Sequence, residues 1–218
     1  MAAALIFGAT TTANCQTEEN IPHIKMNDVH ITTAIENFAR MANLNYMVDP
    51  KLFAPPGGSN PNGIPEPSLS IDWTNMTAKD ALAMVLKAFG RVMVQDKFTT
   101  VAFITSTNHI KKPVDVSLLA GTNAAALVAM IYFADVPLDA ALGNIIQRGA
   151  LPVTLDAKVS DYVDPADSTI NKFHNAPPVS LRWQNLTPVQ AMVALCEAYN
   201  LVIVKDATTG VVSIKPRE

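Results

Sequence analysis

The sequence contains one segment pattern twice, and this internal repeat constrains the fold more than any other feature. Residues 24–52 align with residues 131–159 without a gap, and residues 71–96 align in the same way with residues 181–206. Matched residues are Asp28 with Asp135, Ala34 with Ala141, Trp73 with Trp183, Asn75 with Asn185, and Thr77 with Thr187. Agreement at fixed spacing over this length indicates a tandem duplication of one structural unit.

Each repeat shows strand and helix patterns in the same order. A short alternating segment comes first, followed by apolar residues at helical spacing, for which Thr32 or Thr33 is the expected N-cap. Two strand patterns then lead to a second helix, which Thr77 caps and Gly90 ends, and two terminal strands form a hairpin. We therefore predict an α+β fold of two tandem βαββαββ units, each with two helices packed on small sheets.

The repeat also sets the predicted domain boundaries. Residues 1–20 form a residual signal or linker segment, residues 21–107 the first domain, residues 108–125 a linker, and residues 126–218 the second domain. Apolar residues make up 49% of the chain and charged residues 16%, a composition that supports packed cores rather than disorder. The net charge of −3 provides no basic field, so no nucleic-acid partner is predicted.

The N-terminal segment has the pattern of a secretory signal. An apolar run over residues 2–9 is followed by small residues and a polar segment, with Thr11 and Ala13 at the −3 and −1 positions of a cleavage site. The run is too short to span a bilayer. We therefore expect an exported protein, with lipidation of Cys15 and association with the outer membrane as alternatives.

The histidines of the chain do not show metal-ligand spacing. No two of them are separated as the paired ligands of a helical metal site are. They are interpreted as solvated side chains, and neither a metal ion nor another cofactor is predicted. The four are His23, His30, His109 and His174.

The acidic and thiol groups also lack a catalytic arrangement. Asp49 and Asp156 end equivalent strands, and a repeated aspartate there is typical of a residue that closes a turn or caps a helix. Cys196 lies on the apolar face of a predicted helix and is interpreted as a buried free thiol. No nucleophile or phosphate-binding motif accompanies them. The sequence therefore predicts a protein that is not an enzyme, with a hydrolase of unrecognised site as the weakest alternative.

Three longer motifs recur in each copy. They are DVPLDAAL, VSLRWQNLTPVQAM and YNLVIVKD in the second copy, and DVHITTAI, LSIDWTNMTAKDAL and FGRVMVQD in the first. In this order they resemble the secretin and TonB N-terminus short domain, the N0-like module of secretins and TonB-dependent signalling receptors. The resemblance implies a periplasmic, non-catalytic module that docks envelope proteins, such as a secretin, an inner-membrane protein or a TonB-type component. The resemblance covers this module alone, so it implies neither pore formation nor ligand transport.

Two features suit protein binding. Trp73 and Trp183 are interpreted as core or core-edge residues between sheet and helix, with an aromatic interface anchor as the functional alternative. The terminal strands of both units are predicted to be unpaired sheet edges, to which a partner adds a strand. The predicted partner-binding residues are Val101, Phe103, Val211 and Ser213 on these strands, and Tyr162 and Phe173 in the loop 160–178.

An alternative function of a different class fits the same features. The groove between the two domains, or the aromatic-bearing loop 160–178, suits a glycan or a small molecule of the cell envelope. Glycan binding that disappears when Tyr162 and Phe173 are replaced distinguishes this alternative from protein docking.

Overall fold

The computed structural model describes residues 19–49, 52, 66–106, 114–119, 126–160 and 177–217. These residues form two mixed α+β units with the predicted order of elements. The first unit contains β1 (Ile21–His30), α1 (Ile31–Met41), β2 (Tyr46–Val48), β3 (Ser68–Met76), α2 (Ala78–Ala88), β4 (Arg91–Gln95) and β5 (Ala102–Ser106). After a 3-10 turn (Ser117–Leu119), the second contains β6 (Val128–Pro137), α3 (Leu138–Gly149), β7 (Thr154–Leu155), α4 (Ala157–Ser160), β8 (Pro178–Leu186), α5 (Pro188–Ala198), β9 (Leu201–Lys205) and β10 (Val212–Pro216). The addition to the predicted order is α4, a single turn.

Each unit contains a two-stranded ribbon and a three-stranded sheet. The ribbons are the antiparallel pairs β1–β3 and β6–β8. The larger sheets have the strand orders β2-β5-β4 and β7-β10-β9. In both, the terminal strand is antiparallel to its hairpin partner and parallel to the short strand that follows the first helix. The duplication therefore extends to sheet topology.

The prediction that the terminal strands are sheet edges is wrong. β5 and β10 are the central strands of their sheets. The hairpin partner occupies one side of each, while β2 or β7 pairs with the other side. A parallel pairing joins segments that lie far apart in the sequence, so the alternation within a terminal strand does not reveal it.

Left-handed backbone positions also recur in the two units. Asn75 and Asn185, both with φ of 54°, turn the chain from the ribbon into the following helix. Asparagine tolerates this conformation better than most residues do, which explains why Asn follows Trp at the same spacing in both units. Within the described part of the chain, the positive-φ residues form equivalent pairs: Asp28 with Asp135, Asn43 with Ala150, Asn75 with Asn185, Gly90 with Asn200, and Thr100 with Gly210.

The helices after these turns begin at side-chain caps. The Thr77 hydroxyl accepts a hydrogen bond from the Asp80 N–H at 3.1 Å, which confirms the predicted cap of α2. Thr187 and Gln190 form a complete capping box on α5. Gly90, with φ of 63°, follows α2 as predicted, because a residue without a Cβ adopts this conformation without strain.

The predicted N-cap of α1 is wrong. This helix begins at Ile31, directly after β1, so Thr32 and Thr33 lie inside its first turn. The Thr32 N–H donates instead to a Glu66 carboxylate oxygen at 2.8 Å. The Ile31 N–H donates to the Pro67 carbonyl at 3.0 Å. The segment before β3 therefore caps α1, and the negative charge of Glu66 suits the positive end of the helix dipole.

Buried apolar residues form two clusters. One lies within the first unit and includes Ile24, Ile31, Ile35, Phe38, Leu82, Leu86 and Ile104. The other lies in the second unit and includes Leu138, Leu142, Trp183, Met192, Leu195 and Ile214. It also contains Met47, Val101 and Phe103 of the first unit, and Val114 and Leu119 of the segment predicted as a linker. The core of the second unit therefore continues onto the sheet of the first.

We expect Gly149→Ala to lower the free energy of unfolding by roughly 1–3 kcal/mol, because it overpacks the contact between two helices. Gly149 ends α3, and a Cβ built on it would lie 2.5 Å from the Cβ of Pro188, which begins α5. Urea unfolding followed by circular dichroism measures the loss. Gly143→Ala is the matched control, since a Cβ there meets no atom within 4 Å. Equal losses in the two variants would contradict the close packing.

Candidate protein-docking surfaces

The central strand of the first unit's three-stranded sheet, β5, is buried on both faces. Ile104 packs into the core of the first unit. Met47, Val101 and Phe103 pack into the core of the second unit, and Val101 is fully buried. We call these three residues, together with Asn45, the first acceptor face. It is the site on the first unit to which the second unit docks.

Trp183 on β8 anchors this contact from the second unit. Its side chain is fully buried within the core of the second unit. Its indole Nε1–H donates to the carbonyl oxygen of Tyr46, in β2 of the first unit, at 2.8 Å. Buried tryptophans need a partner for this donor, and here the other unit provides it. Trp183 is therefore both a core residue and an anchor between the units.

Side-chain amides complete the contact with backbone groups. Asn45 Nδ2 donates to the Gln184 carbonyl at 2.8 Å, and Asn45 Oδ1 accepts from the Gln184 N–H at 2.7 Å. A single side chain thus pairs with the edge of β8 as a neighbouring strand would. Gln190 Nε2, at the start of α5, donates to the Phe98 carbonyl in the β4–β5 turn at 2.8 Å.

α5 is buried around most of its circumference, whereas the equivalent helix α2 is not. Val193 and Ala194 are buried on α5 in the cluster that includes the first acceptor face. Their counterparts on α2, Ala83 and Met84, are exposed, Met84 with 45% of its surface. An apolar surface all round a helix is typical of complete burial. The difference between PVQAMVALCEA and AKDALAMVLKA therefore marks α5 as the more completely buried helix, which helical periodicity alone misses.

The contact joins different surfaces of the two units, so each unit has one counterpart surface that is not part of this contact. The surface of the second unit that contains Trp183, Gln184, Val193 and Ala194 has a counterpart on the first unit, which we call the Trp73 edge. It comprises Trp73, Thr74, Ala83 and Met84. We call the counterpart of the first acceptor face the second acceptor face; it comprises Pro152, Thr154, Val211 and Ser213 on the second unit. A head-to-tail contact of this kind generates open chains unless one end cannot bind.

The residues predicted to bind a partner fall into separate places. Val101 and Phe103 are covered by the second unit of the same chain. The prediction that they contact an outside partner is therefore wrong. Val211 is 47% exposed and Ser213 half-buried, both on the second acceptor face. The loop residues Tyr162 and Phe173 lie outside the described residues.

A cleft of about 590 Å³ lies between α1 and the outer face of the β6–β8 ribbon. Its walls include Glu36, Arg40, Tyr132 and Arg182, and Tyr132 exposes 65% of its surface. Burial, and secondarily the Glu36 carboxylate, raises the pKa of Tyr46 in the wall, so its hydroxyl stays protonated. The volume lies in the range of small-ligand pockets. A groove between the units is therefore present, as predicted.

No group of three or more metal-ligating side chains occurs within the described ranges. His23 Nε2 lies 2.6 Å from Asp72 Oδ1 on the exposed face of the first ribbon, and His30 is exposed. These two side chains are solvated, as predicted. The other two, His109 and His174, lie outside the described residues.

The two equivalent aspartates close turns, which confirms their interpretation. The Leu52 N–H donates to the Asp49 carbonyl at 2.9 Å, and the Asp49 carboxylate accepts from the Thr105 hydroxyl at 3.0 Å. The Asp156 carboxylate accepts from the Lys158 N–H at 2.9 Å as α4 begins. Both carboxylates thus hold the chain where it leaves β2 or β7.

Cys196 is predicted to be unreactive in the folded protein. It is fully buried, as interpreted from the sequence, and burial raises its pKa from an ordinary 9.0 to about 12. The unfolded thiol therefore ionises first, and this group's contribution to stability is lost as the pH rises above 9.0. In a Cys15→Ser background, labelling by a thiol reagent at pH 8 should require unfolding. Rapid labelling without denaturant would contradict the burial.

No helix in the part of the chain that the structure describes has the length and apolar character needed to cross a membrane. No family model and no curated protein matches the chain. Contacts between its residues, together with the resemblance of its motifs, are therefore the basis for inferring its function.

Proposed function

We propose that the chain is a non-catalytic, periplasmic protein-binding module of the kind found at the N-termini of secretins and TonB-dependent signalling receptors. One observation carries this proposal. The chain holds the same docking surface twice, filled at Trp183 and open at the Trp73 edge. The filled copy contacts the sheet face of the first unit within the same chain. The open copy is the candidate site for another protein.

The backbone of β3 supports strand-edge docking at this site. In the second ribbon, Gln184 lies opposite Met130 and directs its N–H and carbonyl away from β6, to Asn45. In the first ribbon, Thr74 holds the equivalent place opposite His23. Its backbone groups therefore point away from β1, toward the open side of the ribbon. An edge of this kind next to a tryptophan is suited to protein recognition.

Site-specific cross-linking in cells tests this function. A photo-reactive amino acid at Thr74 should give an adduct with an envelope protein, and fractionation should find the chain in the periplasm. The matched control position is Asn144, which is exposed on α3 outside both docking surfaces. The adduct should disappear when Trp73→Ala is added. Equal adducts at Thr74 and Asn144, or adducts indifferent to Trp73→Ala, would refute the proposal.

A second candidate function is binding of an envelope glycan or small molecule in the cleft. The exposed Tyr132 supports it, because an aromatic ring and neighbouring polar groups such as Arg182 suit a sugar. Tyr132→Ala and Arg182→Ala should each abolish binding on a glycan array, while Trp73→Ala leaves it intact. Glycan binding lost only in a Tyr162 and Phe173 double variant would assign it to the loop instead. Absence of glycan binding by the unaltered protein would exclude this candidate.

A further inference from the structure

We propose that the Trp73 edge binds a second module of this same βαββαββ fold, carried on a different polypeptide rather than on another copy of this chain. The inference rests on the proposed docking function and names the partner of that site. Its basis is the contact between the two units, which shows what face the equivalent surface at Trp183 accepts.

The filled contact specifies most of what the partner presents. It offers an amide side chain, as Asn45 does, to pair with the N–H and carbonyl of the strand edge. It offers a backbone carbonyl, as Tyr46 does, to accept the indole N–H. Around them it offers a sheet face of apolar residues comparable to Met47 and Phe103. A central apolar contact with paired polar groups around it is the usual composition of a protein interface.

The two docking surfaces differ at the start of the helix, and the difference removes one contact. Gln190 donates to a carbonyl of the first unit, but the equivalent residue on α2 is Asp80. Val189, buried next to it, is replaced by exposed Lys79. A carboxylate accepts hydrogen bonds and does not donate them. Asp80 therefore cannot repeat the Gln190 contact, and its carboxylate instead accepts the Thr77 hydroxyl of its own unit. The contacts at Trp73 and Thr74 are the ones that the partner repeats.

A second copy of this chain does not meet these requirements. Its first acceptor face is covered by its own second unit. On its second acceptor face, Pro152 replaces Asn45 and removes the pairing amide, and Ser213 replaces Phe103. Exposed Thr154 likewise replaces buried Met47. These three replacements prevent the head-to-tail contact from repeating between copies, so the chain is a terminus rather than a link.

Restoring the missing residues tests the inference without a known partner. The triple variant Pro152→Asn, Thr154→Met, Ser213→Phe gives the second unit an acceptor face like that of the first. Sedimentation velocity should find the unaltered protein monomeric and the triple variant forming concentration-dependent head-to-tail oligomers. Adding Trp73→Ala should weaken the association of the triple variant by roughly tenfold or more, since interface tryptophans are frequent binding hot spots.

Each other outcome overturns the inference. A folded triple variant that stays monomeric would show that the Trp73 edge does not accept this face. If Pro152→Asn prevents folding, the double variant Thr154→Met, Ser213→Phe takes the place of the triple variant in this test. Oligomers indifferent to Trp73→Ala would reflect unspecific apolar contact. Trp73-dependent oligomers of the unaltered protein would make the partner a second copy. If the Thr74 adduct forms in cells while the triple variant stays monomeric, the docking function stands and only this partner is wrong.

Discussion

Trp183→Ala is expected to lower the free energy of unfolding by about 3–5 kcal/mol, the usual loss for a large buried aromatic side chain. Trp183 is fully buried in the cluster that joins the two units. Its removal leaves a cavity there and deprives the Tyr46 carbonyl of the indole donor. Urea unfolding followed by far-ultraviolet circular dichroism measures the loss. We expect a lower midpoint and a broader transition, because the units are then less strongly coupled.

The equivalent tryptophan of the first unit provides the matched control. Trp73 holds the same position on β3 but is only partly buried, and no second unit covers it. Trp73→Ala removes less buried apolar area, so the expected loss is roughly 1–2 kcal/mol. Both variants delete the same side chain from the same corner of the fold. Equal losses would mean that Trp183 acts only within its own unit, and the contact between the units would then contribute little stability.

The features that the sequence predicts are those that depend on residues close together in the chain. Thr77 caps α2 and Gly90 ends it because these positions depend on residues within one turn of the chain. The cap of α1 is missed because it comes from Glu66, more than a helix length away in sequence. The central position of β5 is missed for the same reason, since its parallel neighbour β2 precedes it by a strand, a helix and another strand.

The candidate site could be predicted only in part, because it depends on how the units differ. Comparison of the copies finds what they share, and Val101 and Val211 are predicted as equivalent partner-binding positions on the terminal strands. The structure covers Val101 with the second unit and leaves Val211 accessible. Only residue differences distinguish the two faces, such as Phe103 against Ser213. To interpret these differences, one must know which face of each strand another element covers. Alternation within one strand does not give that information.

Phe103→Ser is expected to lower the free energy of unfolding by about 3–5 kcal/mol, through a cavity and a buried hydroxyl that has lost water. It places on the first acceptor face the residue that the second acceptor face carries at the same position. Phe103 is buried between the units, so the loss arises at their contact. Urea unfolding gives the magnitude. Limited proteolysis at residues 114–119 should accelerate, because Val114 and Leu119 pack into the cluster that joins the two units.

The reciprocal substitution is the control that shows whether this loss of stability depends on the position or on the residue type. Ser213→Phe places the aromatic ring at a position that is only half-buried, so stability should change by only about 0.5 kcal/mol. The same pair of residues is thus exchanged in opposite directions at equivalent sites. A small loss for Phe103→Ser would mean that the second unit docks without this ring, and the first acceptor face would no longer serve as the template for a partner of the Trp73 edge.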